Sequence, residues 1–400
     1  MDTYITRKQI REINRKLYAN DIWYSDDGKG VFEEIVSSII QRYDPQDKMS
    51  NVPSVLEIKK PKIDKKTIEN ILLLDRKSVI VQVNNRLLAD VYNLDMVKEL
   101  KAHKYKIMIE LNKDDKIFTI STILADIIKI DINNIPDVIL SPDIHFNGKI
   151  LAYNINTPEQ YAAATAMHAD LYEGNYITEG SNIRLEVKEN ISINFIEVMS
   201  LITKDNVEMH DLASAISKDV IMSAQVVRLA NSVFYTGKEK ISSIEQALVR
   251  IGLDTLKKWI FLLQFNRNSA ENEELLQLAY SRALFCEKMV QVSKKIKISE
   301  TDAYLIGLFS TIDALTGKSI DKQIHSMNLS STIEDALIYR EGHGGLLLNT
   351  IKSYEEAHWD KVAKYSKQIG ISKDKMSEIY FYCVDEVSRF WGGLGAREAR

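Results

Sequence analysis

The chain has 400 residues, 45% hydrophobic and 27% charged, a composition that suits two cored domains and excludes large-scale disorder. Its 52 basic and 56 acidic side chains leave a formal net charge of −4, so the overall balance indicates neither nucleic acid nor an anionic membrane as partner. No apolar run reaches the roughly 18 residues of a membrane span, and the start Met1–Asp2–Thr3 is polar, which predicts neither anchor nor signal peptide and a cytoplasmic location.

Along the first half, short runs rich in isoleucine and valine predict strands at Ser78–Val83, Tyr105–Leu111, Ile127–Ile132 and Lys149–Ile155. Helix-like segments such as Met96–Ala102 lie between some of them, which implies βαβ units and a mainly parallel sheet. The predicted fold is a βα barrel resembling a TIM barrel. It is expected to be trimmed or partly open, because a full barrel of this type commonly needs about 250 residues. The pattern changes near Ser181–Ile191, giving expected domains of 1–182 and 190–400. Beyond that point helices dominate, so the chain as a whole reads as α/β plus all-α.

Asp219 is placed to cap a helix through Leu229 that is apolar almost all round and therefore expected to be buried. Asn231 and Ser232 end it with short side chains suited to bonding nearby backbone at a turn. Ser243 and Gln246 make a capping-box pattern for the next helix, and Gly252 stops it. Ser331 and Glu334 repeat the capping pattern. His210–Asp211 reads as an exposed histidine beside a helix N-cap rather than a metal centre. Gly342–His343–Gly344–Gly345 reads as a turn, since no strand precedes it and no Gly-Lys-Ser/Thr follows. Cys286 and Cys383 sit in largely apolar helical patterns and are expected as buried thiols, not a disulfide or a metal site.

The order of segments in roughly residues 1–180 resembles the EAL family, bacterial barrels that hydrolyse cyclic di-GMP. The segments that carry the likeness are Ala125–Asp126–Ile127–Ile128–Lys129–Ile130–Asp131, Leu151–Ala152–Tyr153–Asn154–Ile155–Asn156–Thr157, Leu171–Tyr172–Glu173–Gly174–Asn175–Tyr176 and Leu17–Tyr18–Ala19–Asn20–Asp21–Ile22–Trp23–Tyr24. On that resemblance Asp21 stands for the signature glutamate, Glu57 for an asparagine and Gln82 for a strand glutamate. Glu110–Leu111 stands for the aspartate pair that bridges two metals. Tyr153 and Asn156 replace later glutamates and Glu173 replaces a glutamine, while Lys129 and Asp131 match. A leucine cannot bridge cations and a tyrosine removes charge they require, so the resemblance implies a degenerate barrel without metal or other cofactor. Asp21, Glu57, Glu110 and Lys129 could still meet at the strand ends around one weakly held ion. The favoured alternative is that they pair among themselves, for example Lys129 with Glu110.

The blocks Leu212–Ala213–Ser214–Ala215–Ile216–Ser217–Lys218–Asp219, Leu229–Ala230–Asn231–Ser232–Val233–Phe234–Tyr235, Ile241–Ser242–Ser243–Ile244–Glu245–Gln246–Ala247–Leu248 and Ile251–Gly252 resemble the HDOD domain. This is an all-helical relative of HD phosphohydrolases that lacks their metal centre. Val220 departs from the usual proline. With the EAL-like half, the chain resembles EAL–HDOD signalling proteins. The resemblance implies a bacterial signal-transduction scaffold that is not an enzyme, binding unidentified protein partners or a second copy of itself. The alternative is a cyclic di-GMP receptor or weak cyclic di-GMP phosphodiesterase.

Overall fold

Alternating apolar residues on eight short strands close a barrel in the first part of the chain. In the computed structural model the described residues are 4–25, 32, 52–113, 118–136, 146–175, 193–202, 207–231, 241–253, 255–256, 259–260, 270–327 and 329–395. The chain divides into two compact units, Met1–Ile183 and Arg184–Arg400.

The strands are β1 Ile5–Glu12, β2 Leu17–Tyr24, β3 Ser54–Glu57, β4 Val79–Asn84, β5 Lys106–Leu111, β6 Ile127–Asp131, β7 Lys149–Tyr153 and β8 Leu171–Tyr172. They hydrogen-bond in chain order, and β8 returns to β1, so the barrel is closed. This corrects the expectation of a partly open sheet. Closure is reached by economy of another kind: β3 has four residues and β8 only two. The strands β2 to β8 run parallel to their neighbours, whereas β1 is antiparallel to both β2 and β8. A tight hairpin suffices for that β1–β2 link, where a parallel link would need a crossover.

Strand side chains alternate between the two faces of the wall. Ile10, Ala19, Val55, Ile80, Met108, Ile127, Leu151 and Leu171, one from each strand, form a buried cluster inside the barrel. This apolar layer fills the lower interior and excludes water from it, as in barrels whose centres are packed rather than open.

Helices between strands start where short polar side chains accept the free amides of a first turn. Asp64 accepts from the Thr67 amide at 2.7 Å to open α1 Lys65–Leu72. Asp90 accepts from the Asn93 amide at 3.0 Å to open α2 Val91–Ala102. A helix α3 spans Phe118–Leu124. Thr157 and Gln160 form a reciprocal capping box, with Pro158 at the first position of α4 Pro158–Ala166.

The second unit is helical throughout its described residues. It begins with α5 Ile193–Ile202, α6 Met209–Ser217, α7 Val220–Ala230 and α8 Ile244–Ile251. Asp219 caps α7 through the amides of Ile221 and Met222 at 2.9 and 3.0 Å. Leu229 is 3% exposed on the same helix. However, Val220 and Ile221 are 82% and 52% exposed, and Ala224 and Arg228 are exposed as well, so the expected all-round burial is corrected to one buried face of Met222, Val226, Leu229 and Ala230. At its end Asn231 donates to the carbonyls of Val227 and Ile241, at 3.1 and 2.7 Å, and accepts the Ile241 amide at 2.9 Å. One side chain thereby ties the end of α7 to the segment leading into α8. Ser232 lies outside the described residues. Ser243 accepts the Gln246 amide at 3.2 Å to start α8, and Gly252 ends it with φ +78°, a left-handed conformation that favours glycine.

Further helices are α9 Ala270–Val292, α10 Glu300–Phe309, α11 Ile312–Thr316, α12 Ile320–Ser326 and α13 Ser331–Glu334, followed by α14 Gly342–Glu355, α15 Trp359–Ile369 and α16 Lys373–Gly395. Three sequence expectations are corrected here. Asp211 lies in the first turn of α6, which Glu208 precedes without a side-chain cap. The helix of Ser331 starts after Ser330 instead. Gly342–Gly345 is not a turn between helices but the first turn of α14, where Gly345 lies so close to the Arg340 carbonyl that a Cβ would clash at 2.2 Å. Cys286 and Cys383 are free and buried, and burial pushes both thiols up from their ordinary range. Within this unit Arg282 on α9 is buried in a bidentate pair with Glu355 on α14, at 2.6–3.1 Å, and also donates to Ser310.

Candidate functional site: a polar layer above the barrel core

Two residues further along each strand from the apolar layer, the same inward face presents a different set. Ala19 is followed by Asp21, Val55 by Glu57, Ile80 by Gln82, Met108 by Glu110, Ile127 by Lys129, Leu151 by Tyr153 and Leu171 by Glu173. Because the strands of a closed barrel tilt, the register sorts them into two alternating layers toward the carboxyl ends of β2–β8: Asp21, Gln82, Lys129 and Glu173 from the even-numbered strands, and Glu57, Glu110 and Tyr153 from the odd ones. On antiparallel β1 the corresponding residue lies two places before Ile10, which is Lys8.

Lys129 is the hub. Its ammonium is 2% exposed and pairs with the Asp21 carboxylate, which is 1% exposed. It also donates to the Gln82 side-chain carbonyl at 3.3 Å and lies 3.7 Å from Glu173. The rings of Tyr153 and Trp23 stand over it at 4.8 and 5.2 Å, and the Trp23 indole donates to Asp21 at 2.9 Å. Burial alone would drive Lys129 toward neutrality, but Asp21, Glu173 and Glu110 outweigh it and raise its pKa. Burial likewise opposes the Asp21 charge, and the Lys129 ammonium overcomes it, holding the carboxyl below its ordinary range. The cluster therefore contains a charged lysine and a charged aspartate sealed from water.

Glu173 has the opposite fate. Burial pushes its carboxyl up to about 8, against the pull of Lys129, and the Asp21 charge adds to the rise. Neither of its oxygens has an ordinary hydrogen-bond partner. A neutral carboxyl is the form that such a setting accepts at neutral pH. Glu57 is raised in the same sense by burial, and Lys59 stands 3.8 Å from it.

Lys129 thus does not pair directly with Glu110, as the sequence suggested. The Tyr153 hydroxyl donates to Glu110 at 2.7 Å and occupies that carboxylate, while burial and the Glu110 charge push the phenol up. Asp131 stands at the end of β6, but its carboxylate accepts from Asn133 and Asn134 at 3.0–3.2 Å and so shapes the following turn. Leu111, adjacent to Glu110, falls on the opposite face of β5 by the same alternation. Asn156 accepts the Asn175 amide at 3.2 Å and braces the loop after β8.

A metal pair of the kind implied by the EAL resemblance needs several carboxylates free to converge. Asp21 is turned to an ammonium and an indole, Glu110 to a phenol and Asp131 to amide nitrogens. Among the described residues no group of three or more His, Cys, Asp or Glu is placed to hold a metal ion. The donor set does not fit two divalent cations.

Sequence reasoning placed Tyr153 at the site but missed its role as a roof, and it missed Lys8 and Trp23 as members of the cluster. Lys8 sits 3.8 Å over the Trp23 ring and pulls on Glu173 electrostatically. Its signal was period two from Ile10, hidden because the strongly charged β1 does not look like a barrel strand.

Residues 191–327 match the HDOD domain model. Among curated proteins, the chain is 25% identical over 231 residues to the cyclic di-GMP phosphodiesterase CdgJ of Vibrio cholerae, covering 58% of this chain and 53% of that protein. It is 23% identical over 239 residues to the uncharacterized protein YuxH of Bacillus subtilis, covering 59% and 58%. The matched region spans little more than half the length of these relatives. Among solved structures, the PaMucR phosphodiesterase in complex with c-di-GMP aligns with a TM-score of 0.36 and 12% identity, over 44% of this chain and 94% of that one. The Klebsiella pneumoniae BlrP1 calcium complex with cyclic di-GMP aligns with a TM-score of 0.34 and 10% identity, over 44% and 54%. No helix among the described residues is long and apolar enough to cross a membrane. In the chain, the segment that matches the HDOD domain model, residues 191–327, follows the eight-stranded βα barrel.

Proposed function

We propose that this chain is a cyclic di-GMP receptor of the EAL–HDOD type, which binds its nucleotide at the barrel mouth without hydrolysing it. The observation that carries this reading is that Asp21 and Glu110, where a hydrolase needs carboxylates free for metal ions, are engaged by Lys129 and the Tyr153 hydroxyl. The relative CdgJ, a cyclic di-GMP phosphodiesterase, supports the ligand class. Half-buried Trp23 and Tyr153 offer planar faces at the mouth on which a guanine can stack. The helical domain then serves as the output, docking a protein partner or a second copy when the barrel is loaded.

A receptor must be stabilised by a ligand that only its native state binds. The full chain should melt at a higher temperature with cyclic di-GMP, and the nucleotide should be recovered intact after incubation with magnesium or manganese. Trp23→Ala should weaken the shift.

The second reading is a scaffold that binds only proteins, favoured by how fully Lys129 is enclosed. It predicts no melting shift with the nucleotide. Turnover abolished by Lys129→Ala or Glu110→Ala would instead make the chain a phosphodiesterase.

A further inference from the structure

The opposite end of the barrel carries a second concave site. A cavity of about 390 Å3 opens at the amino-terminal ends of β2–β5, floored by Val79 and Ile80 and rimmed by Tyr18, Arg76, Lys77, Lys104 and Lys106. Its size falls in the range of small-molecule pockets. No carboxylate lines it.

The four cations come from three places in the chain. Arg76 and Lys77 lie in the segment before β4, Lys104 in the segment before β5, and Lys106 opens β5. Among the described residues none of them forms an ion pair. Of the neighbouring acids, Asp75 lies beside the rim and accepts the Lys77 amide at 3.1 Å, while Asp126 binds Lys101 at 2.6 Å and the Ile107 amide at 2.8 Å. Even after counting Asp75, the rim keeps an excess of positive charge.

Tyr18 organises the inner wall. It packs against the apolar layer of the barrel. Lys106 lies 5.5 Å from its ring centre and 3.5 Å from its hydroxyl, and Lys149 lies 5.7 Å from the ring on another side. Lys106 and Lys149 stand two residues before Met108 and Leu151, so both belong to the inward face one step below the core.

We propose that this cavity binds a multiply charged phosphate chain, the pyrophosphate group shared by inorganic pyrophosphate and nucleoside polyphosphates. Several cations without carboxylate partners, converging from separate segments on one concavity, match an anion with several adjacent charges better than a single carboxylate. The exposed position of Arg76, Lys77 and Lys104 also makes the binding sensitive to salt.

The test is calorimetric titration of the full chain at physiological salt with inorganic pyrophosphate and, separately, adenosine triphosphate. Saturable binding of both probes is expected, with affinity reduced about tenfold or more in Arg76→Glu/Lys106→Glu. If that variant does not fold by circular dichroism, Lys77→Gln/Lys104→Gln serves in its place, since both side chains are exposed. Equal affinity for the two probes assigns a free polyphosphate. Tighter binding of the triphosphate assigns a nucleotide whose ring uses the Tyr18 wall. No saturable binding of either probe, or affinity unchanged in both variants, overturns the proposal. The site lies on the other side of the apolar layer from Lys129, so the cyclic di-GMP melting shift of the same variants reports separately on the proposed receptor function.

Discussion

Lys129 and Asp21, 108 positions apart in the chain, form a buried ion pair inside the barrel, roofed by Trp23 and Tyr153. Each charge exists there because the other does. Lys129→Met should therefore leave a buried, unpaired carboxylate and destabilise the barrel by about 3–5 kcal/mol. Lys129→Met combined with Asp21→Leu should recover much of that loss. Chemical denaturation of both variants checks this, and a double variant no more stable than the single would show that the pair is not the relevant unit.

Glu173 predicts a pH dependence. In the unfolded chain its carboxyl loses a proton near its ordinary value of 4.5, whereas the folded state keeps it to about 8. The folded state therefore binds more protons across that window, and stability must fall as pH rises through it. Lys129, Asp21 and Lys8 face Glu173 and are part of the balance. Glu57, raised in the same sense, adds to the slope. Glu173→Gln should flatten the profile and be more stable than the parent at pH 8. Melting curves between pH 5 and 8 that superimpose in slope for parent and variant would count against the buried neutral carboxyl.

Much of this barrel could be read from the chain. The four strands recognised from sequence are buried and nearly continuous in apolar residues, as central parallel strands should be. What escaped as strands were β1 to β3 and β8: Arg7, Lys8, Arg11 and Glu12 mask the alternation of β1, and the four residues of β3 and two of β8 are too few to show a period. The site residues were found as a set through family likeness, yet their partners were not legible. Which carboxylate meets Lys129 depends on how strands 108 residues apart are staggered, and no local pattern encodes that. In the helical unit the local signals fared better: Asp219, Ser243 and Gly252 act through neighbours within a few residues. Asp211 did not, because the helix starts earlier than its side chain suggests.

Asn231 makes three hydrogen bonds to backbone groups, two of them to Ile241. Asn231→Ala leaves the Ile241 amide and carbonyl without these partners and should cost about 1–3 kcal/mol. Asn231→Asp keeps the acceptor and loses the donors, so it should fall between alanine and the parent. Urea unfolding of the full chain measures the order, and an alanine variant as stable as the parent would remove the clamp from the account.

Leu229 is nearly inaccessible on the inner face of the same helix, in contrast with Val220 and Ile221 at its start. Leu229→Ala should destabilise the helical unit by roughly 2–5 kcal/mol. Ile221→Ala should change stability far less, because its side chain is already half in water. Comparable midpoint shifts for the two would contradict the burial pattern.

On the proposed function, the lysine–carboxylate cluster at the barrel mouth stands in place of a metal pair, and the chain binds cyclic di-GMP without cleaving it. The most direct measurement is a titration of the full chain with cyclic di-GMP in manganese buffer, followed by chromatography of the recovered nucleotide. Saturable binding is expected, with all of the nucleotide returned intact. A linear dinucleotide product, or no binding at all, would contradict it.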